Sequence, residues 1–142
     1  MLSGSYLGSI LPTHLAQHTL KFTHGGSMYG VTTGQVFGAN TTLSFPTQVN
    51  EKSYAVPAPD CLLPTAGAYS TFVYTPGNYG AGIAYKGTDY RTFVLGFPFE
   101  SIEEAAQRSR VMKAALGLFQ QSAKLEKDYL CGKLTRAALI ED

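Results

Sequence analysis

The chain has no tryptophan, only two cysteines, and almost no charge in its first third. Each shortage excludes something. Cys61 and Cys131 permit one disulfide or two free thiols, and their spacing matches no metal or redox motif, so cysteine leaves the compartment open. No apolar run is long enough to span a bilayer, and the start, "MLSGSYLGSILP", lacks the basic region of a signal peptide. The net charge is +1, with no Lys/Arg cluster interleaved with aromatics, which argues against a nucleic-acid partner. Between residues 1 and 50 only Lys21 is charged, whereas residues 101–142 carry seven Lys/Arg and six Asp/Glu. The tail is therefore the solvated helical part. The charge-poor opening has two readings: a surface covered by another domain or subunit, or one that is polar without being charged.

What is present suits a globular domain. A length of 142 residues, 44% hydrophobic content, 15 Gly, 9 Tyr and 8 Phe describe one folded unit rich in turns and aromatic strands. "LSGSYLGSIL" reads as a short strand entering a glycine-rich turn, and a helix follows from Pro12 or Thr13 to about Lys21. Residues 25–60 are broken by Gly and Asn, with short strands expected at Val36–Phe37, Thr42–Phe45 and Ser53–Val56. "YSTFVYT", "AGIAYKG" and "RTFVLGF" then form a meander. The last of these is apolar on both faces, as an interior strand must be. A capping box, Ser101 to Glu104, opens a long helix expected to bury Ala105, Met112, Leu116 and Phe119. Residues 122–142 continue as a helical tail with a stop at Gly132, so the expected division is 1–121 and 122–142.

All three histidines lie in "HLAQHTLKFTH", at His14, His18 and His24. A zinc protease with that spacing requires a Glu base after the first His and a Gly where the chain turns. Leu15 and Lys21 occupy those places, which excludes that hydrolytic mechanism. A bare metal site remains as one reading, since His14 and His18 share a helical face and His24 can fold back through Gly25 and Gly26. Ordinary surface and capping histidines are the other.

"GSYLG", residues 4–8, has the outline of a nucleophile elbow, in which glycines permit a sharp strand-to-helix turn. Tyr6 sits at the nucleophile position, and a phenol with a pKa near 10 is a poor nucleophile at neutral pH. Ser3 and Ser5 flank it out of register. Farther along, Glu100 ends an interior strand, where open α/β sheets bind ligands; its plain role there is favourable charge at a helix start.

Together these stretches resemble the class I glutamine amidotransferase-like fold, a flavodoxin-like α/β sandwich. There an elbow with Cys between glycines precedes, some ninety residues on, a strand ending F-H-P-E. Here "GSYLG" takes the elbow and "FPFE" (97–100) the strand end, so Tyr6 falls on the nucleophile, Pro98 on the histidine and Glu100 on the acidic member. The resemblance implies a scaffold without the amidase reaction. "SGSYLGS", "AGIAYKG" and "FVLGFPFESI", with Arg110 and Met112, look more closely like the C-terminal region of secreted Bacteroidota proteins labelled xanthan lyase. No Tyr/His/Arg set here is assignable to a lyase, so no lyase activity is carried over.

The expected fold is a partial flavodoxin-like, amidotransferase-like mixed α/β sheet with a β-meander and a long C-terminal helix. The abrupt strand at Leu2 makes truncation at the N-terminus part of that expectation. The leading function is a non-catalytic domain of a larger extracytoplasmic glycan-processing protein, serving assembly or carbohydrate binding, with Tyr79 and Tyr90 as the stacking residues and no cofactor. Its partners would be an upstream domain of the same chain or a second copy, besides a carbohydrate. The rival is a hydrolase pairing Ser3 or Ser5 with one of the histidines and Glu100, or a metal enzyme on His14, His18 and His24.

Overall fold

A computed structural model describes residues 1–27, 35–48, 51, 55–75, 77 and 79–130. The chain forms a mixed α/β structure. Its strands are β1 (Leu2–Ser3), β2 (Phe22–Ser27), β3 (Gln35–Gly38), β4 (Thr41–Ser44), β5 (Asp60–Pro64), β6 (Ala68–Thr75), β7 (Tyr79–Lys86) and β8 (Arg91–Leu95). Helix α1 (Leu7–Ile10) and a π-helical turn (Leu15–Thr19) lie between β1 and β2, and the 26-residue helix α2 (Ala105–Leu130) follows β8. Six strands make one sheet in the order β1-β8-β7-β6-β3-β4, and β2 pairs with β5 in a separate antiparallel ribbon. Among the described residues, only the β1–β8 pairing in the large sheet is parallel.

The meander expected from "YSTFVYT", "AGIAYKG" and "RTFVLGF" is β6, β7 and β8. Alternation puts Phe93 and Leu95 on one face of β8 and Val94 on the other, and all three are buried. The first face, with Val36, Leu43, Phe72, Tyr74 and Phe97, packs under α2. The second, with Ile83 and Val94, is covered by Leu7, Ala16, Phe22 and Leu62 from α1, the π-helical turn and the β2–β5 ribbon. β5 crosses β7 so closely that a Cβ on Gly80 would stand 2.0 Å from the Leu62 carbonyl oxygen.

Several local expectations are corrected. The helix expected from residue 12 or 13 to about Lys21 is present over 13–19, but its last five residues widen into a π-helical turn in which Leu20 N–H bonds to Leu15 O, and Lys21 leaves it at φ 66°; the separate α1 ahead of it was not expected. The capping box does not form: Ser101 is buried in a 3-10 turn and its Oγ donates to Pro98 O, so α2 starts only at Ala105. α2 buries Val111 and Ala115 on the sheet, while Leu116 is exposed, because its apolar residues are spread around the helix and the sheet selects one stripe. β5 arises where no strand was expected. Residues 53–54 of the expected Ser53–Val56 strand lie outside the described residues, as do Gly132 and Cys131, and residues 55–56 are not in a strand.

The two edges of the large sheet differ. At β4, the Gln107 carboxamide accepts from Ser44 N–H (3.2 Å) and donates to Thr42 O (2.8 Å), and Glu103 N–H donates to Ser44 O (2.9 Å). α2 thus seals that edge against strand addition. β1 is paired on one side only among the described residues. No described helix is long and apolar enough to cross a membrane.

Candidate functional site

Because β1 and β8 run parallel, with Leu2 opposite Val94 and Ser3 opposite Leu95, their carboxyl ends emerge side by side. "GSYLG" and "FPFE" therefore meet. Gly4 N–H donates to Leu95 O at 3.3 Å, and Phe99 N–H donates to Ser3 Oγ at 3.2 Å. Tyr6 turns the chain at φ 62°, a left-handed conformation costly for a residue with a Cβ, and α1 starts at the next residue. The sharp strand-to-helix turn read from the glycines is thus present. Tyr6 is exposed, Pro98 is buried ahead of the 3-10 turn, and Glu100 is exposed within it.

The residue at the centre of this region is one that the motifs did not single out. Asp60 has no exposed surface. Its Oδ2 accepts from the backbone N–H groups of Leu7 and Gly8, the latter at 3.3 Å, and so closes the start of α1. Its main chain is tied equally well: Asp60 N–H donates to Gly96 O (2.7 Å) and Tyr74 Oη donates to Asp60 O (2.7 Å). A Cβ at residue 96 would lie 2.2 Å from the Asp60 carbonyl oxygen, so only glycine admits this approach. The remaining oxygen, Oδ1, faces His24 Nε2 at 3.4 Å, and both atoms are buried without a closer hydrogen-bond partner.

A buried carboxylate is stable only with compensating donors, and here the two backbone amides supply them to Oδ2 while the imidazole only faces Oδ1. The imidazole is held in turn. A Cβ on Gly8 would fall 2.0 Å from His24 Cγ and 2.3 Å from Cδ2, so Gly8 lies flat on that edge of the ring. Nε2 is enclosed while 27% of the side chain stays accessible, which leaves the Nδ1–Cε1 side to face out. His24 also lines a cleft of about 210 Å³ together with Leu11, Thr13, Gln17 and Thr23. A carboxylate that orients an imidazole is the device of triads and of metal second shells.

Two groups beside Asp60, the Cys61 thiol and the Tyr74 phenol, hold their protons more tightly than usual. Burial pushes the Cys61 thiol above its usual value and the Asp60 charge adds to this, against a Gly80 backbone hydrogen bond that lowers it. Burial, then the proximity of Asp60 and Cys61, pushes the Tyr74 phenol well above its usual value. Cys61 is a buried free thiol.

The three histidines separate. His14 and His18 stack with ring centroids 4.5 Å apart, whereas His24 turns to Asp60. Among the described residues no three His, Cys, Asp or Glu side chains are grouped so as to hold a metal ion. Tyr79 opens β7 and Tyr90 follows its far end, so a strand of eight residues lies between them. Tyr90 is grouped instead with Tyr85 (centroids 5.1 Å), and Lys21 Nζ lies 5.0 Å from the Tyr85 ring centre. Ser3 is occupied as the acceptor for Phe99, and Ser5 is half-buried in the turn. The signal that marked Asp60 was a lone carboxylate in the apolar stretch "VPAPDCLLP".

Comparisons of the chain with protein families, with curated proteins and with solved structures find no match.

Proposed function

We propose that this chain is a non-catalytic, amidotransferase-like α/β domain that serves assembly or carbohydrate binding within a larger extracytoplasmic glycan-processing protein. One observation carries the non-catalytic part: the Asp60 carboxylate is bonded to the Leu7 and Gly8 amides. In a working elbow, the backbone N–H after the nucleophile faces the developing oxyanion. Here that donor is taken by the protein's own anion, beside Tyr6 where a thiol or hydroxyl nucleophile would stand. The flavodoxin-like assignment is supported by the parallel β1–β8 pair, which brings both motifs to one end of the sheet. The assembly role is supported by the contrast between the sealed β4 edge and β1, paired on one side only among the described residues. The carbohydrate role rests on the exposed aromatics Tyr79 and Tyr90, and the extracytoplasmic setting on the resemblance.

The test is chemical. A fluorophosphonate probe should leave the folded chain unlabelled and glutamine should not be hydrolysed, whereas labelling at Ser3 or Ser5 would establish the hydrolase instead. In the same preparation, a panel of oligosaccharides should raise the melting temperature, with the shift lost in Tyr90→Ala or Tyr79→Ala. A flat panel would remove carbohydrate binding and leave assembly.

A further inference from the structure

The stacked pair His14 and His18 is not used by the site around Asp60. Both side chains are exposed, four residues apart, with ring centroids 4.5 Å apart and planes inclined by 28°. Two imidazole nitrogens bound cis to one ion at about 2.0 Å lie about 2.8 Å apart in the tetragonal geometry of Cu²⁺ and about 3.3 Å apart in a tetrahedral one, spacings that side-chain rotation of two exposed neighbouring rings can reach.

The backbone beneath them is unusual and fixed. Leu15–Thr19 is a π-helical turn closed by Leu20 N–H to Leu15 O at 2.9 Å, an element that is rare and recurs at functional sites. Lys21, two residues beyond the turn, is held in the left-handed region at φ 66° although it is not glycine. Three contacts from other elements anchor the segment: Thr65 Oγ1 donates to Gln17 O (3.0 Å), Tyr90 Oη to His18 O (3.2 Å) and Thr65 N–H to Lys21 O (3.0 Å). The Lys21 ammonium lies over the Tyr85 ring, 5.0 Å from its centre. With the main chain anchored, binding would cost little more than fixing two side chains.

We propose that His14 and His18 form a two-nitrogen chelate for a borderline divalent transition cation, Cu²⁺ ahead of Ni²⁺ or Zn²⁺, with the remaining positions left to water or to a donor from another molecule. His24 takes no part, because among the described residues no third His, Cys, Asp or Glu side chain is grouped with the pair. A site with two protein ligands is open and exchangeable, unlike the closed four-ligand sites that hold structural zinc.

The experiment is calorimetric titration of the full chain, free of any affinity tag, with Cu²⁺, Ni²⁺, Zn²⁺ and Mg²⁺ in turn, followed by electron paramagnetic resonance of the Cu²⁺ form. One saturable Cu²⁺ per chain is expected, with weaker Ni²⁺ and Zn²⁺, no Mg²⁺, and hyperfine structure from two imidazole nitrogens. His14→Ala and His18→Ala should each abolish the saturable phase while melting in chelator at the wild-type temperature, since both side chains are exposed. Absence of saturable binding in the wild type, its retention in the double variant, or a spectrum reporting one or three imidazoles would overturn the proposal.

Discussion

Replacing Asp60 by alanine tests the reasoning about the site most directly. The substitution removes the acceptor for two amides at the start of α1 and the anion facing His24. A lost helix cap costs about 0.5–2 kcal/mol, and each buried donor left without an acceptor about 1–3 kcal/mol. These terms overlap, because the cap and the two buried donors are the same Leu7 and Gly8 contacts. Asp60→Ala should therefore lose about 3–4 kcal/mol. With an unfolding entropy of about 2.1 cal/mol/K per residue, a chain of 142 residues should then melt about 10 °C lower. Asp60→Asn separates the two roles. Its carboxamide oxygen still accepts from Leu7 and Gly8, while its NH₂ meets His24 Nε2, which accepts once the imidazole carries its proton on Nδ1. That variant should lose only about 1–2 kcal/mol. Urea unfolding of wild type, both variants, His24→Gln and the double variants gives the Asp60–His24 coupling as a cycle. An Asp60→Ala protein within about 0.5 kcal/mol of wild type would refute the view that this carboxylate holds the elbow.

Gly8→Ala should destabilise by about 2 kcal/mol, within the range for overpacking, because its Cβ would fall 2.0 Å from His24 Cγ. Most of that loss should be recovered in His24→Gly and not in His24→Ala, because the His24 Cβ itself would stand 2.4 Å from the new methyl group; equal losses in the wild-type and His24→Gly backgrounds, measured by urea unfolding, would contradict the packing argument. The chain should also weaken in alkali. Cys61 and Tyr74 both have raised values when folded, so the folded chain holds these protons more tightly than the unfolded one. Their stabilisation is complete below the ordinary values of 9.0 and 10.0 and is lost as pH rises through the raised ones. The urea midpoint should fall as pH rises above about 9, the early part of that fall should vanish in Cys61→Ala, and Tyr74→Phe should flatten the later part.

The meander was legible because strand periodicity is local. Phe93, Val94 and Leu95 announce burial on both faces without reference to any partner, and the ladder of β7 and β8 follows from a short turn. The sharp turn was legible for a similar reason, since Gly4 and Gly8 around Tyr6 permit a close-packed strand-to-helix turn that larger residues would obstruct. The stripe buried by α2 was not. Apolar residues surround that helix, so the choice of Val111 and Ala115 over Leu116 depended on where the sheet lay.

By itself, the sequence determined the mixed α/β composition, the β6–β7–β8 meander and the sharp turn at Tyr6. Each depends on residues within one or two turns of each other. The tertiary structure alone decided that Asp60, 53 residues from Leu7, closes the elbow, that His24 turns to it while His14 and His18 stack, and that Tyr79 and Tyr90 stand at opposite ends of β7. These are long-range pairings. A buried charge takes whichever donors the closed chain brings to it, and no local period records that choice.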